Sequence, residues 1–204
     1  LIHVKKNIYM ADNIGIRYGA IAGFALIILY VVLYAVNPAL MYSLWWLGVL
    51  MFVAIIAVMV LAARNTRTEQ GGYGTFAQLV APAFAVMVVV QLLSSVYNYV
   101  MFNYIDPSLT ETLRNATTET TYQWMSSWGV PEEEIEKTMD ELDTRDFSVT
   151  LKSSLFGFAG ACIIGFAIAA VIALILRRNP PAHLQQSATP DLPETENPND
   201  MVQL

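Results

Sequence analysis

Four stretches of the chain stay apolar for about the length of a membrane-crossing helix. They run from about Tyr18 to Val36, Met41 to Ala63, Phe76 to Ile105 and Leu155 to Leu176. A hydrocarbon core about 30 Å thick takes roughly 20 residues of helix, so the pattern predicts an all-α, integral membrane four-helix bundle. None of the four stretches contains Asp, Glu, Lys, Arg or His. Asn37-Pro38 stops the first. Lys5 and Lys6 ahead of it give the look of a secretory signal, but Val36-Asn37-Pro38 follows where an Ala-x-Ala cleavage site belongs. The segment reads as a retained helix.

Between the third and fourth apolar stretches the pattern changes. Residues 106–154 are polar but periodic, and they predict an extracytoplasmic hairpin of two amphipathic helices between helices 3 and 4. Asp106-Pro107 ends the third span, and Ser108-x-x-Glu111 has the form of a capping box. Leu109, Leu113, Trp124 and Trp128 form an interrupted apolar stripe. Pro131 suits a first helical position and Glu132 to Glu134 a helix N-terminus. Ile135, Met139 and Leu142 then recur at helical spacing, with Glu133/Lys137 and Glu141/Arg145 as i, i+4 pairs. The chain divides into a cytoplasmic segment 1–14, a membrane domain 15–178 and a Pro-rich polar tail 179–204, expected to be disordered.

Composition agrees: 55% of residues are hydrophobic, 14% are charged, and the mean hydropathy is +0.47, where a soluble domain carries about 25% charged residues. The net charge of -6 says little about partners, but no basic face is present to hold nucleic acid. Basic residues set the orientation. Lys5, Lys6 and Arg17, then Arg64 and Arg67, then Arg177 and Arg178 fall on one side of a four-span chain. Both termini are therefore expected in the cytoplasm and the loop 106–154 in the periplasm. Tyr34, Tyr42, Trp45, Trp46, Tyr97, Tyr99 and Tyr104 gather at the outer ends, the headgroup level such rings favour.

Two features have candidate roles inside the membrane. Gly15, Gly19 and Gly23 in the first helix, and Gly157, Ala161, Gly165, Ala169 and Ala173 in the fourth, are small-residue stripes at every fourth position. Such stripes let backbones approach closely in lipid, and the first helix is expected to meet the fourth near Gly165 to Ala173 or to meet another chain. Gln91, Ser94, Ser95 and Asn98 place a polar face on the third helix. Interhelical hydrogen bonding is the commoner use of such a face, and a substrate or ion path is the other. Pro82 predicts a kink in the same helix. The lone Cys162 excludes an internal disulfide and a cysteine zinc site, and reads as a packing residue.

No nucleophile elbow, zinc motif, P-loop or dinucleotide fingerprint is present. His3 and His183 lie outside every span. Coupled pumps keep an ionisable group within the membrane, and this chain has none there. Neither a catalytic residue nor a cofactor is expected.

Tyr18-Gly19, Thr75-Phe76-Ala77-Gln78, Tyr97-Asn98-Tyr99, Phe102-Asn103-Tyr104-Ile105-Asp106-Pro107 and Glu132-Glu133-Glu134-Ile135-Glu136 together resemble the bacterial membrane family catalogued as domain of unknown function 4199, found mainly in Bacteroidota. The resemblance covers about Gly15 to Arg178. It implies an inner-membrane location and no activity, substrate or catalytic residue. The expectation is a non-enzymatic accessory or assembly subunit, in contact with the bilayer and with other membrane subunits or a second copy. An uncoupled transporter or channel component and a periplasmic sensor using the acidic loop are the alternatives.

Overall fold

The computed structural model describes residues 2–38, 40 and 44–178, and side chains from residue 14 onward except Trp45. The tail 179–204, Tyr42 and the side chains of His3, Lys5 and Lys6 lie outside that set. Six helices follow one another among the described residues: α1 (Ile2–Val36), α2 (Trp45–Glu69), α3 (Phe76–Val100), α4 (Leu109–Ser127), α5 (Glu132–Thr144) and α6 (Leu151–Leu176). A π-helical turn, Met101–Ile105, prolongs α3. Segments Ile14–Val36, Trp46–Glu69, Phe76–Ile105 and Leu151–Leu176 are long and apolar enough to cross a membrane. The chain is a multi-pass membrane protein, and α4 and α5 form a helical hairpin between its third and fourth spans.

The helices overrun the apolar stretches at several ends. The Thr66 hydroxyl donates to the Ala62 carbonyl at 3.0 Å, and α2 continues past Arg64 to Glu69. Gly71 and Gly72 then take φ of +80° and +89°, a region that disfavours any Cβ. There the Gly72 amide reaches the Arg67 carbonyl and the Gly71 amide that of Thr68, a Schellman stop. Gln78 Oε1 accepts from the Thr75 amide at 2.9 Å and starts α3. At α6, Thr150 and Ser153 cap each other's backbone amides at 2.9 and 3.1 Å, one turn before the expected start.

Helix α3 is the hub. Helices α1, α2 and α6 all pack on it, α2 also touches α1 and α6, and α1 and α6 have little contact with each other. Leu79, Ala83, Val86 and Val90 of α3 meet Met59, Ala62 and Ala63 of α2 and Ala169, Ile172 and Ala173 of α6 in one apolar core. The outer faces carry exposed Ile21, Phe24, Ile28, Val49, Val53, Ile163, Ile164 and Ile175, as lipid contact requires. Helix α3 runs unbroken through the buried Pro82.

The expected meeting of the two small-residue stripes does not occur. A Cβ on Gly15 would lie 2.5 Å from the Pro82 carbonyl oxygen, one on Gly19 2.9 Å from Val89 Cβ, and one on Gly23 2.6 Å from Leu93 Cδ1. All three contacts are on α3. Gly165 faces Met87, again on α3. The reason is topological. With α3 interposed as partner of both, each stripe finds the neighbour that offers the most surface.

At one end of the bundle the turn after α2 is tied to the end of α6. Gly74 and Arg178 exchange backbone hydrogen bonds of 3.0 and 3.2 Å, and Arg67 Nη1 donates to the Leu176 carbonyl at 3.2 Å. Arg17, Arg64, Arg67, Arg177 and Arg178 cluster at this end, opposite the hairpin.

These contacts predict opposite signs for two glycine substitutions. Gly15→Ala should lower the melting temperature of the purified protein, because overpacking against backbone costs about 1–3 kcal/mol. Gly48→Ala, where the added Cβ meets nothing within 4 Å, should leave it unchanged or raise it through helix propensity, worth up to about 1 kcal/mol. Equal melting temperatures for the two variants would contradict the packing.

Candidate functional site

Chemistry concentrates where α3 leaves the core. Two Asp-x-Ser turns mark the roots of the hairpin. Asp106 accepts hydrogen bonds from the Ser108 hydroxyl and amide and from the Tyr34 phenol at 3.1 Å. Asp146 accepts from the Ser148 amide at 2.8 Å and hydroxyl at 2.9 Å. Ser108 itself has helical φ/ψ of -67° and -15°, outside the geometry in which an N-cap hydroxyl accepts from the helix amides, and the expected capping box with Glu111 does not form. Asn103 adds the cross-tie: its amide donates to the Tyr99 carbonyl at 2.9 Å and to the Val149 carbonyl at 2.8 Å. Arg114 of α4 and Arg145 lie over the Phe147 ring at 5.9 and 5.7 Å, Arg145 in place of its expected pairing with Glu141. Met101, Phe102 and Leu109 are buried together beneath these ties, with Tyr34, Tyr97, Leu113 and Val149 around them.

The π-helical turn explains how one short segment reaches so many partners. The Asp106 amide bonds the Met101 carbonyl at 2.8 Å, the wider i→i+5 closure. This shifts the residues that follow off the α-helical register. Asn103 and Asp106 are thereby aimed at different neighbours, the segment before α6 and the end of α1.

The hairpin holds its shape through a Schellman stop at Gly129, φ +72°. The Val130 amide bonds the Met125 carbonyl there, and α5 starts after Pro131. Ile135 is buried and Met139 and Leu142 half-buried along the inner stripe. Trp124 and Trp128 do not join that stripe. They stack on each other at 6.2 Å, and Trp128 is 80% exposed.

The polar face of α3 lies beside a cleft of about 390 Å³ in the half of the bundle nearest the hairpin. Gln91, Ser95 and Asn98 line it together with Tyr30, Ser154 and Gly157, and Leu113 and Val149 border it from the hairpin roots. Ser94 does not line it. The side chains of Gln91, Ser94, Ser95 and Asn98 make no hydrogen bond among the described residues. Leaving such a group unpaired in an apolar medium costs roughly 2–7 kcal/mol. The Tyr97 hydroxyl, stacked against Tyr30 at 6.2 Å, is also buried with no partner among the described residues. Gly157 belongs to the small-residue stripe, but a Cβ there would meet nothing within 4 Å. It leaves space instead of making a close contact. Ala161 packs at the edge of the core, and Gly165, Ala169 and Ala173 lie within it.

Sequence reasoning passed over Asn103, Asp106 and Tyr34 as a linked set, and Ser154 and Gly157 as a cleft wall. The signal available was the repeated Asp-x-Ser at both hairpin roots. Among the described residues no three His, Cys, Asp or Glu side chains are grouped to hold a metal ion.

A family model described as "Protein of unknown function (DUF4199)" matches residues 17–178, and the chain belongs to that family. Neither a curated protein nor a solved structure matches it.

The hydrogen bonds of Asp106 lead to a pH prediction. The Ser108 hydroxyl foremost, then the Tyr34 phenol and the Ser108 amide, hold its carboxyl below the ordinary carboxylate range. A carboxyl with a lowered pKa in the folded state stabilises the fold above its unfolded pKa, and that contribution is lost as pH falls through the folded value. Asp106→Asn should therefore lose less melting temperature between about pH 5 and about pH 3 than the parent does. Parallel curves for the two proteins would show that the clasp carries no acid sensitivity.

Proposed function

We propose that the chain is a non-enzymatic accessory or assembly subunit of a bacterial inner-membrane complex. In this reading both termini are cytoplasmic and the α4–α5 hairpin stands in the periplasm. The observation that carries it is Trp128, 80% exposed at the corner of a hairpin whose roots are tied to the bundle. Exposing a large aromatic ring has an apolar cost, and Trp is the residue type most enriched where partners bind tightly. Its stacking on Trp124 limits the side-chain entropy lost on docking. The five arginines at the opposite end of the bundle support the orientation, since basic residues near span ends are retained in the cytoplasm.

The alternatives have less behind them. An uncoupled transporter or channel needs a continuous polar route, whereas Val86, Met87 and Val90 continue the cleft direction as apolar core. A sensor using the acidic residues from Glu132 to Asp146 would need them gathered, and most face solvent separately along α5.

Purification of the full chain in mild detergent should bring a stoichiometric partner, either another membrane subunit or a second copy. Trp128→Ser should weaken that association at least about tenfold, because truncating such an anchor costs roughly 2 kcal/mol or more. Recovery of a clean monomer across several detergents would overturn the reading. For the orientation, Trp128→Cys should react with a membrane-impermeant thiol reagent from the periplasmic side, and Glu69→Cys only after lysis. The reverse pattern would invert the topology.

A further inference from the structure

The α3–α6 cleft has a second compartment. An apolar groove of about 240 Å³ lies against it, formed by Leu92, Val96, Leu151 and Leu155 and opening towards lipid. Ser95, Ser154 and Phe158 line both spaces, so a compartment with polar groups and an apolar one lie side by side. The polar compartment extends from Gln91 to Phe102, roughly 16 Å along α3 at 1.5 Å per residue. That is about half of a hydrocarbon core of roughly 30 Å. It opens near the hairpin and stops at the apolar core.

We propose that this cleft binds an uncharged membrane amphiphile. Its hydroxyl- or amide-bearing head would lie against Gln91, Ser95, Asn98 and Ser154, with an apolar chain in the adjoining groove. Three observations converge on that chemistry. The four side chains have no side-chain hydrogen-bond partner among the described residues, and a hydroxyl- or amide-bearing head supplies the partner that lipid tails cannot. Ser153 differs from them, because its hydroxyl is already engaged in capping α6. No Lys, Arg, His, Asp or Glu lines either space. Lys152 lines the next groove, beyond Leu151 and Leu155, so an ionised phosphate in the cleft has its counter-charge outside it, whereas an alcohol or amide needs none. Gly157 keeps the polar compartment open, since any side chain there would project into unoccupied space. The proposal is independent of the partner-docking role of the hairpin.

The test uses the purified full chain in detergent, titrated with dioleoylglycerol or with dioleoyl phosphatidylglycerol and read by native mass spectrometry. Dioleoylglycerol adducts should form at about tenfold lower concentration than those of the anionic lipid. Gly157→Leu should abolish them without lowering the melting temperature, and Gly160→Leu, which also meets no neighbour within 4 Å, should retain them. Should Gly157→Leu fail to fold, Asn98→Ala with Ser154→Ala should remove the tenfold preference. Equal adduct formation by the two lipids in the parent protein would overturn the proposal, as would retention of the preference in a folded cleft variant. A dimer that Gly157→Leu dissociates would also overturn it, in favour of a helix from a second copy as the occupant.

Discussion

The fold rests on how closely α1 approaches α3. In lipid, apolar burial does not drive helices together, so contact area and backbone proximity decide which helices pair. Gly15, Gly19 and Gly23 bring the α1 backbone against Pro82, Val86, Val89 and Leu93 over two full turns. Pro82 contributes to the same seam. It lacks an amide hydrogen, and its own carbonyl sits where a Gly15 side chain would begin. Once α1 is fixed on one part of α3, α2 and α6 complete the core from the remaining surface.

The hub makes the bundle asymmetric along its length. Near the arginine-rich end, small residues of α6 close on α3, with Ala169 and Ala173 fully buried. Towards the hairpin the same stripe continues, but its Gly157 meets no neighbour. Small residues therefore serve two opposite purposes on one helix. At Gly165 the missing side chain admits Met87, and at Gly157 it leaves a cleft. Spacing alone does not distinguish the two, because the difference depends on whether the facing helix is near.

Most of the bundle was legible in the sequence because hydrocarbon imposes length and apolarity on every span. The four spans and the hairpin follow from local pattern. The partners of the stripes did not, since small-residue spacing marks a face without naming its neighbour. Ser108-x-x-Glu111 misled because the chain turns one step earlier: Asp106 accepts the Ser108 amide, and Ser108 already has helical φ/ψ, where its hydroxyl is not placed to cap. The inward stripe through Trp124 and Trp128 failed at its far end, where α4 reaches the hairpin corner and has little left to pack against. The polar face of α3 was visible as a set of residues. Whether those residues bond to each other, to a neighbouring helix or to nothing in the chain depends on the separation of α3 and α6, which no local signal encodes.

The cleft and the hairpin are built from shared residues. Leu113 is on α4 and Val149 lies between α5 and α6, yet both border the cleft and both pack beside the buried cluster of Met101, Phe102 and Leu109. Asn103 bonds the Val149 carbonyl directly, and Asp106 holds the start of α4 against Tyr34 of α1. A displacement of the hairpin about its roots would therefore move two residues of the cleft border. By reciprocity, whatever fills the cleft constrains the hairpin to the same degree in free energy. With no Lys, Arg, His, Asp or Glu lining the cleft, that exchange would run through packing and neutral hydrogen bonds. Its strength would then depend little on salt or on the membrane potential, unlike the coupling of charged groups within a bilayer.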